Sequence, residues 1–226
     1  MASRPTRDLR RAILDRSLEL VDKKGLDALS MREVARRLGV THGAPYYHFK
    51  DRSSIVAALV EEGLAILAGM LEAAAREHED PRAAFEACGR RYVAFAIAHP
   101  AYFRVMFRPE LVGREHRASI DRAATQAFAV LQGVVVRCHA AGLSTGVDAR
   151  ALALTGWSTA HGLAALCLDG PLASKGDPKA LAETVGATLG ALVASGPKRG
   201  DARRGAGARR RGPRDGKSAR RGSTRR

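Results

Sequence analysis

The stretch Ser30–Arg52 reads Ser-Met-Arg-Glu-Val-Ala-Arg-Arg-Leu-Gly-Val-Thr-His-Gly-Ala-Pro-Tyr-Tyr-His-Phe-Lys-Asp-Arg. Ser30, followed three residues on by Glu33, is a capping box that opens a helix. Met31, Val34, Ala35 and Leu38 continue it at helical spacing, and Gly39 stops it in the position that glycine favours. A short helix is predicted over about His42 to Phe49, with Thr41 as its N-cap. Helix, glycine-containing turn and short helix together form the arrangement that lays a recognition element in the DNA major groove. Val34, Ala35, Leu38, Val40 and Phe49 are spaced to build a small core beneath it. Gly43 and Ala44 are small enough for close approach to a groove floor. Tyr46, Tyr47, His48 and Lys50 offer hydroxyl, imidazole and ammonium groups suited to phosphates and base edges.

Outward from this stretch the chain reads as helices throughout. Upstream, Thr6 to Lys24 carries Leu9, Ile13 and Leu20 on one face, with Leu14, Leu18 and Val21 broadening the stripe, and Gly25 ends it. Downstream, an apolar pattern from Asp51 runs through Ile55, Leu59, Leu64, Leu67 and Leu71 to about His78. Asp80-Pro81 opens a helix to near His99, and Pro100 opens a short one through Tyr102, Phe103, Met106 and Phe107. After a loop over 109–113, helices follow over Arg114–Ala141, from an Asp148 cap to Leu168, and from Asp177-Pro178 to about Ser195. The prediction is an all-α fold of about nine helices: a three-helix domain over 1–52 and a helical body over 53–196. Ala151–Leu168 has no charge but is shorter than the roughly 20 residues a bilayer requires, so it reads as a buried helix and no membrane partner is expected.

Charge divides unevenly. The formal net charge is +15, of which residues 197–226 hold +11 and residues 1–52 hold +5, leaving −1 for the body. Basic ends on a neutral body suit a polyanion such as nucleic acid. Beyond Gly196, Gly, Arg, Lys, Ser and Pro dominate, and the segment reads as a disordered basic tail, either a DNA-binding aid or a solubilising appendage. Cys88, Cys138 and Cys167 form no pair of metal-site spacing, which points to free thiols in a reducing cytoplasm, and no apolar leader follows the N-terminal charges. Enzyme motifs are missing: there is no GxSxG, HExxH, phosphate-binding loop or dinucleotide fingerprint. His42 and His48 are six apart, the wrong spacing for two ligands on one helix face. Neither a metal nor a cofactor is expected.

Gly39, Val40, Thr41, Tyr46, His48 and Phe49, with the preceding Arg-Glu-Val-Ala at 32–35, resemble the N-terminal domain of the TetR (tetracycline-repressor) family, the likeness covering about Thr6 to Leu59. The departure is Pro45, where the family has an aliphatic residue. The resemblance implies a DNA-binding transcriptional regulator, a ligand-responsive repressor acting as a homodimer on a palindromic operator. It implies that Arg32 and Thr41, His42, Gly43, Ala44, Tyr46, Tyr47 and His48 face double-stranded DNA, with Tyr47 and Lys50 on phosphates. Tyr46 also suits packing and His48 capping or bracing the helix, while Arg36 and Arg37 suit a solvated face better than base reading. Trp157, His161 and Gly162 resemble the Trp-His-Gly signature of one C-terminal subclass, as does His99–Phe107. The family implies dimerisation through helices 148–168 and 177–195, and a small-molecule effector pocket with Met70, Phe103, Met106, Phe107, Trp157 and His161 as candidate lining, which also fit an ordinary core. The alternative function is a sequence-neutral DNA coat driven by the tail.

Overall fold

Aspartate and serine caps set most of the helix starts. Asp51 accepts from the Ser54 amide at 2.8 Å, Asp80 from those of Arg82 and Ala83, Asp148 from Ala151 at 3.0 Å, and Asp177 from Lys179 at 3.0 Å. The computed structural model describes residues 4–194 apart from 145, 174 and 175. The basic tail predicted over 197–226 lies outside the described residues. Eight α-helices are present: α1 Arg4–Lys24, α2 Met31–Leu38, α3 Arg52–Glu77, α4 Pro81–Ala98, α5 Pro100–Met106, α6 Arg117–Ala140, α7 Ala149–Leu168 and α8 Pro178–Ala194. Short 3-10 turns at Leu26–Ala28, Ala44–Tyr47, Pro109–Leu111 and Arg114–His116 connect them.

The ninth predicted helix, over His42–Phe49, is one of these turns. An α-helical bond to the Thr41 carbonyl would come from the amide of residue 45, and Pro45 has no N–H. The Ala44 amide takes that carbonyl instead at 3.0 Å, and Tyr46 bonds Gly43 at 3.1 Å, which tightens the segment to the i→i+3 pattern. Thr41 therefore does not cap it. Gly43 holds the capping position with no side-chain bond. Pro45 is buried and so fills the inward position of an aliphatic residue.

α1, α2, this turn and the start of α3 share one small core of Ile13, Leu20, Val34, Ile55 and Leu59, each 0% exposed. Arg10 lies 5.1 Å over the ring of Phe49 and closes its outer side. Gly39 ends α2 at φ 67°, a left-handed conformation that explains the glycine. From there α3 continues into the body, packing on α4, α5 and α6; α4 packs in turn on α7 and α8. Phe95 and Val105, both 0% exposed, sit at the centre of this second layer. α3 and α7 are the two helices long and apolar enough to cross a membrane by length and composition, yet α3 lies in the core with half of its most apolar window buried. α7 has only 33% of its window buried, fewer than the sequence led us to expect.

The capping box of α2 forms in one direction. Ser30 accepts from the Glu33 amide at 3.2 Å, while the Glu33 carboxylate turns to Arg36 at 2.7 Å and Arg37 at 2.9 Å. Bonds from Arg36 first and Arg37 second hold the Glu33 carboxyl at about 2, below its ordinary 4.5. A carboxyl depressed in the folded state stabilises the fold above its unfolded pKa, and that contribution is lost as pH falls from about 4.5 to about 2. In urea titrations followed by circular dichroism, Glu33→Gln is expected to flatten the loss of stability across that window relative to the unaltered chain. Parallel slopes for the two proteins would show that the carboxylate has no share in the acid limb.

Candidate nucleic-acid interface and interior cavity

The turn stands out from the core on Pro45 and Phe49, its two buried residues. Around them Thr41, His42, Gly43, Tyr46, Tyr47 and Lys50 are exposed, and Ala44 and His48 are half-buried. Tyr47 is 89% exposed and has no partner among the described residues; a ring so placed contributes nothing to the fold. Tyr46, 49% exposed, stacks loosely with His42 at 6.4 Å between centroids. The turn packs on α2, whose exposed Arg32 also has no ion pair among the described residues. Arg36 and Arg37 differ, because Glu33 binds both. Arg52 follows the turn and donates to the Leu26 carbonyl at 2.8 Å, fixing the start of α3 against the 3-10 turn after α1. The surface thus presents one unpaired guanidinium, an ammonium, two phenols and two imidazoles, with small residues between them.

A second feature lies in the body: a cavity of about 500 Å³ between α3, α4, α6 and α7, open to solvent along the exposed Ala124, Thr125, Arg150 and Leu154. Helical spacing explains its walls. Leu64, Leu67 and Leu71 lie on one face of α3, and Phe85, Cys88 and Tyr92 on one face of α4. α4 and α7 meet closely at Gly156, where a Cβ would fall 2.7 Å from the ring of Phe85. At one end the Tyr92 hydroxyl lies 2.9 Å from His161 Nδ1 and accepts from Trp157 Nε1 at 3.3 Å. Burial pushes the His161 imidazole below its ordinary pKa and the Tyr92 phenol above its own, so both are neutral. Either tautomer of the uncharged ring closes this contact: the phenol donates to a bare Nδ1, or Nδ1–H donates to the phenol oxygen. Burial also pushes the Cys88 thiol up to about 11, which keeps it a thiol rather than a nucleophilic thiolate.

Of the six residues named from sequence for a pocket, Phe107 and Trp157 line the cavity. Phe103 and His161 stand behind them, 5.2 Å apart in a cluster of aromatic rings. Met70 packs on the main core, and Met106 lies against Gly63, away from the lining. Sequence reading missed Tyr92, Phe128, Gln132 and Arg150. The periodicity of Phe85, Cys88 and Tyr92 was the available signal for the first, since a tyrosine on an apolar stripe needs a partner for its hydroxyl. Arg104 on α5 was also missed; it reaches Asp22 at the end of α1 at 3.5 Å and Asp169 after α7 at 2.9 Å. Tyr92→Phe leaves His161 Nδ1 and Trp157 Nε1 without this oxygen and is expected to cost about 1–3 kcal/mol in guanidinium unfolding. An unchanged midpoint would mean that water replaces the hydroxyl.

Residues 13–59 match the family described as bacterial regulatory proteins, tetR family, and residues 85–189 match the tetracyclin repressor-like C-terminal domain. The transcriptional regulator AcrR of Shigella flexneri is 41% identical over 54 residues, 24% of this chain and 25% of that protein. The class C tetracycline repressor of Escherichia coli is 32% identical over 102 residues, 44% of this chain and 46% of the repressor. The chain thus matches less than half the length of these two relatives. A protein of unknown function from Rhodococcus sp. RHA1 superposes with a TM-score of 0.73 at 32% identity, covering 83% of this chain and 96% of that one. With both halves of the chain matched to the same family, on a fold that carries its exposed turn at one end and its cavity at the other, the chain belongs to the TetR family of DNA-binding transcriptional regulators.

Proposed function

We propose that the chain is a ligand-responsive repressor that binds a palindromic operator as a homodimer. The observation that carries this reading is the exposed turn: Tyr47 is 89% exposed on it, and on α2, which it packs against, Arg32 is exposed without an ion pair among the described residues. Residues 1–52 act as the DNA-binding domain and 53–196 as the effector-binding and dimerisation body, and the protein works in the cytoplasm. Arg32, Thr41, His42, Tyr46 and His48 read base edges, while Gly43 and Ala44 let the backbone close on the groove. Tyr47 and Lys50 take phosphates.

A turn of four residues covers only a few base pairs, so specificity requires a second copy one helical turn away, about 34 Å along the DNA. The surface suited to that second copy lies on α7 and α8. Leu154, Trp157 and Leu166 are exposed on α7, and Ala180, Thr184, Ala187 and Thr188 on α8, where the charges beside them are Lys179 and Glu183, the latter paired with Arg90. Apolar helix faces of this kind favour association in water. Trp157, His161 and Gly162 further suggest that the body belongs to the Trp-His-Gly subclass, because the first two join one polar network with Tyr92.

The cavity is the effector site. A ligand that fits it better when the two turns are misplaced for DNA shifts the population toward the unbound form. α3 carries that change, since Leu64, Leu67 and Leu71 form part of the cavity wall and its first residue, Arg52, is joined to the turn by residues 48–51 alone. The test is repeated selection of the full chain on random duplexes at physiological salt, which is expected to recover a palindrome. Arg32→Ala should then weaken binding to that site by about 1–3 kcal/mol and relax one position, while Lys50→Ala weakens all sequences alike and lowers the salt slope by about one. Recovery of no preferred sequence, with binding unaffected by either substitution, would overturn the reading.

A further inference from the structure

The cavity wall carries one charge. Among the described residues that line it, Arg150 is the only ionised side chain, and no carboxylate lines it at all. Arg150 is exposed where it lines the cavity, and its guanidinium makes no ion pair or hydrogen bond among the described residues; neither does the amide of half-buried Gln132 on the same wall. Elsewhere the arginines near α4 and α5 are paired: Arg90 with Glu183 at 3.4 Å, Arg91 with Glu77 at 3.3 Å and Arg104 with Asp169 at 2.9 Å. An arginine left unpaired at the edge of an apolar chamber is a counter-charge in waiting.

Length adds a second constraint. The α7 lining positions run from Arg150 to Ala160, which at 1.5 Å per residue is about 15 Å, and Leu64, Leu67, Leu71, Phe85 and Phe128 face them as an apolar wall. At the far end the polar atoms of Tyr92, Trp157 and His161 satisfy one another. The apolar body of a ligand therefore meets no unmet polar demand until it reaches Arg150.

We propose that the effector is an elongated apolar carboxylate, its body between α3, α4, α6 and α7 and its anionic head on Arg150 with Gln132 alongside. This rests on the reading of the cavity as the effector site. A cationic amphiphile of the same length has no counter-charge on the wall and pays the repulsion of Arg150.

The chain's single tryptophan, Trp157, lines the cavity and reports its occupation. Fluorescence titration of the full chain with decanoate, decanol and decylamine is expected to rank them in that order, decanoate ahead of decanol by about tenfold. Arg150→Gln should remove the preference for decanoate while decanol still binds, and Arg150→Lys should keep it. Equal binding of the three probes, or a decanoate preference that survives Arg150→Gln, would overturn the assignment of charge and leave the effector site standing. Silence of Trp157 toward all three would overturn the effector site itself, and this inference with it.

Discussion

The continuity of α3 is the constraint on which the rest of the structure depends. It is one unbroken helix of 26 residues, about 39 Å long at 1.5 Å per residue. Its first turns bury Ile55 and Leu59 in the core that holds the exposed turn, and its middle buries Leu64, Leu67 and Leu71 along the cavity. No loop separates the two environments; the glycine between them, Gly63, lies within the helix against Met106 and Tyr102. A rigid rod that is packed at both ends cannot be displaced at one without being displaced at the other. Asp51 fixes the end nearest the turn by accepting both the amide and the hydroxyl of Ser54, and Arg52 ties the same end to the Leu26 carbonyl.

α5 supplies a second tie of a different kind. Arg104 holds Asp22 and Asp169 at once, so a single guanidinium joins the end of α1 to the end of α7. Arg11 on α1 also pairs with Glu62 on α3. All these groups are partly exposed, and surface ion pairs of this sort contribute little to stability. Their effect is better understood as orientation: charged contacts constrain how α1 lies on the body, while the apolar contacts of α3 set how firmly.

Much of this was legible in the sequence because short-range rules govern it. Aspartate before proline at 80–81 and 177–178, serine before Met31 and glycine at 39 mark helix ends through local hydrogen bonds and backbone conformation, and the ends fall where those rules put them. Spacing puts an α-helix over 42–49, since a proline early in a short helix forfeits at most one intrahelical bond, yet the segment tightens to a 3-10 turn at 44–47. The backbone bonds show that Pro45 decided it. The cavity was legible only in part. Aromatic residues and methionines attract notice in a sequence, but a lining is composed of whichever side chains face a gap between four helices. Leu67, Cys88 and Gln132 have no local mark that separates them from core or surface, and Met106 has a helix of its own to pack against at Gly63. The interior position of a residue is a property of chain crossings, and periodicity gives its face without giving what lies opposite.

α7 shows why the cavity and the uncharged surface belong to one argument. A helix has room for a buried stripe and an exposed one, and on α7 neither is charged after Arg150. Ala153, Gly156, Ala160 and Ala164 face inward and are small, so α7 approaches α4 closely enough for Phe85 to meet the bare backbone at Gly156. Trp157 comes next and belongs to both stripes: it lines the cavity, is hydrogen-bonded to Tyr92, and still leaves 36% of its surface open. Under the proposed effector role, a side chain that meets the chamber on one edge and solvent on the other would carry occupation of the chamber to the outer face. Close packing at Gly156 limits how far α7 can give way inward, because Phe85 blocks it. The remaining freedom is outward, toward the face on which the proposed second copy would lie, so in the proposed switch a filled chamber would be felt at that face as well as along α3.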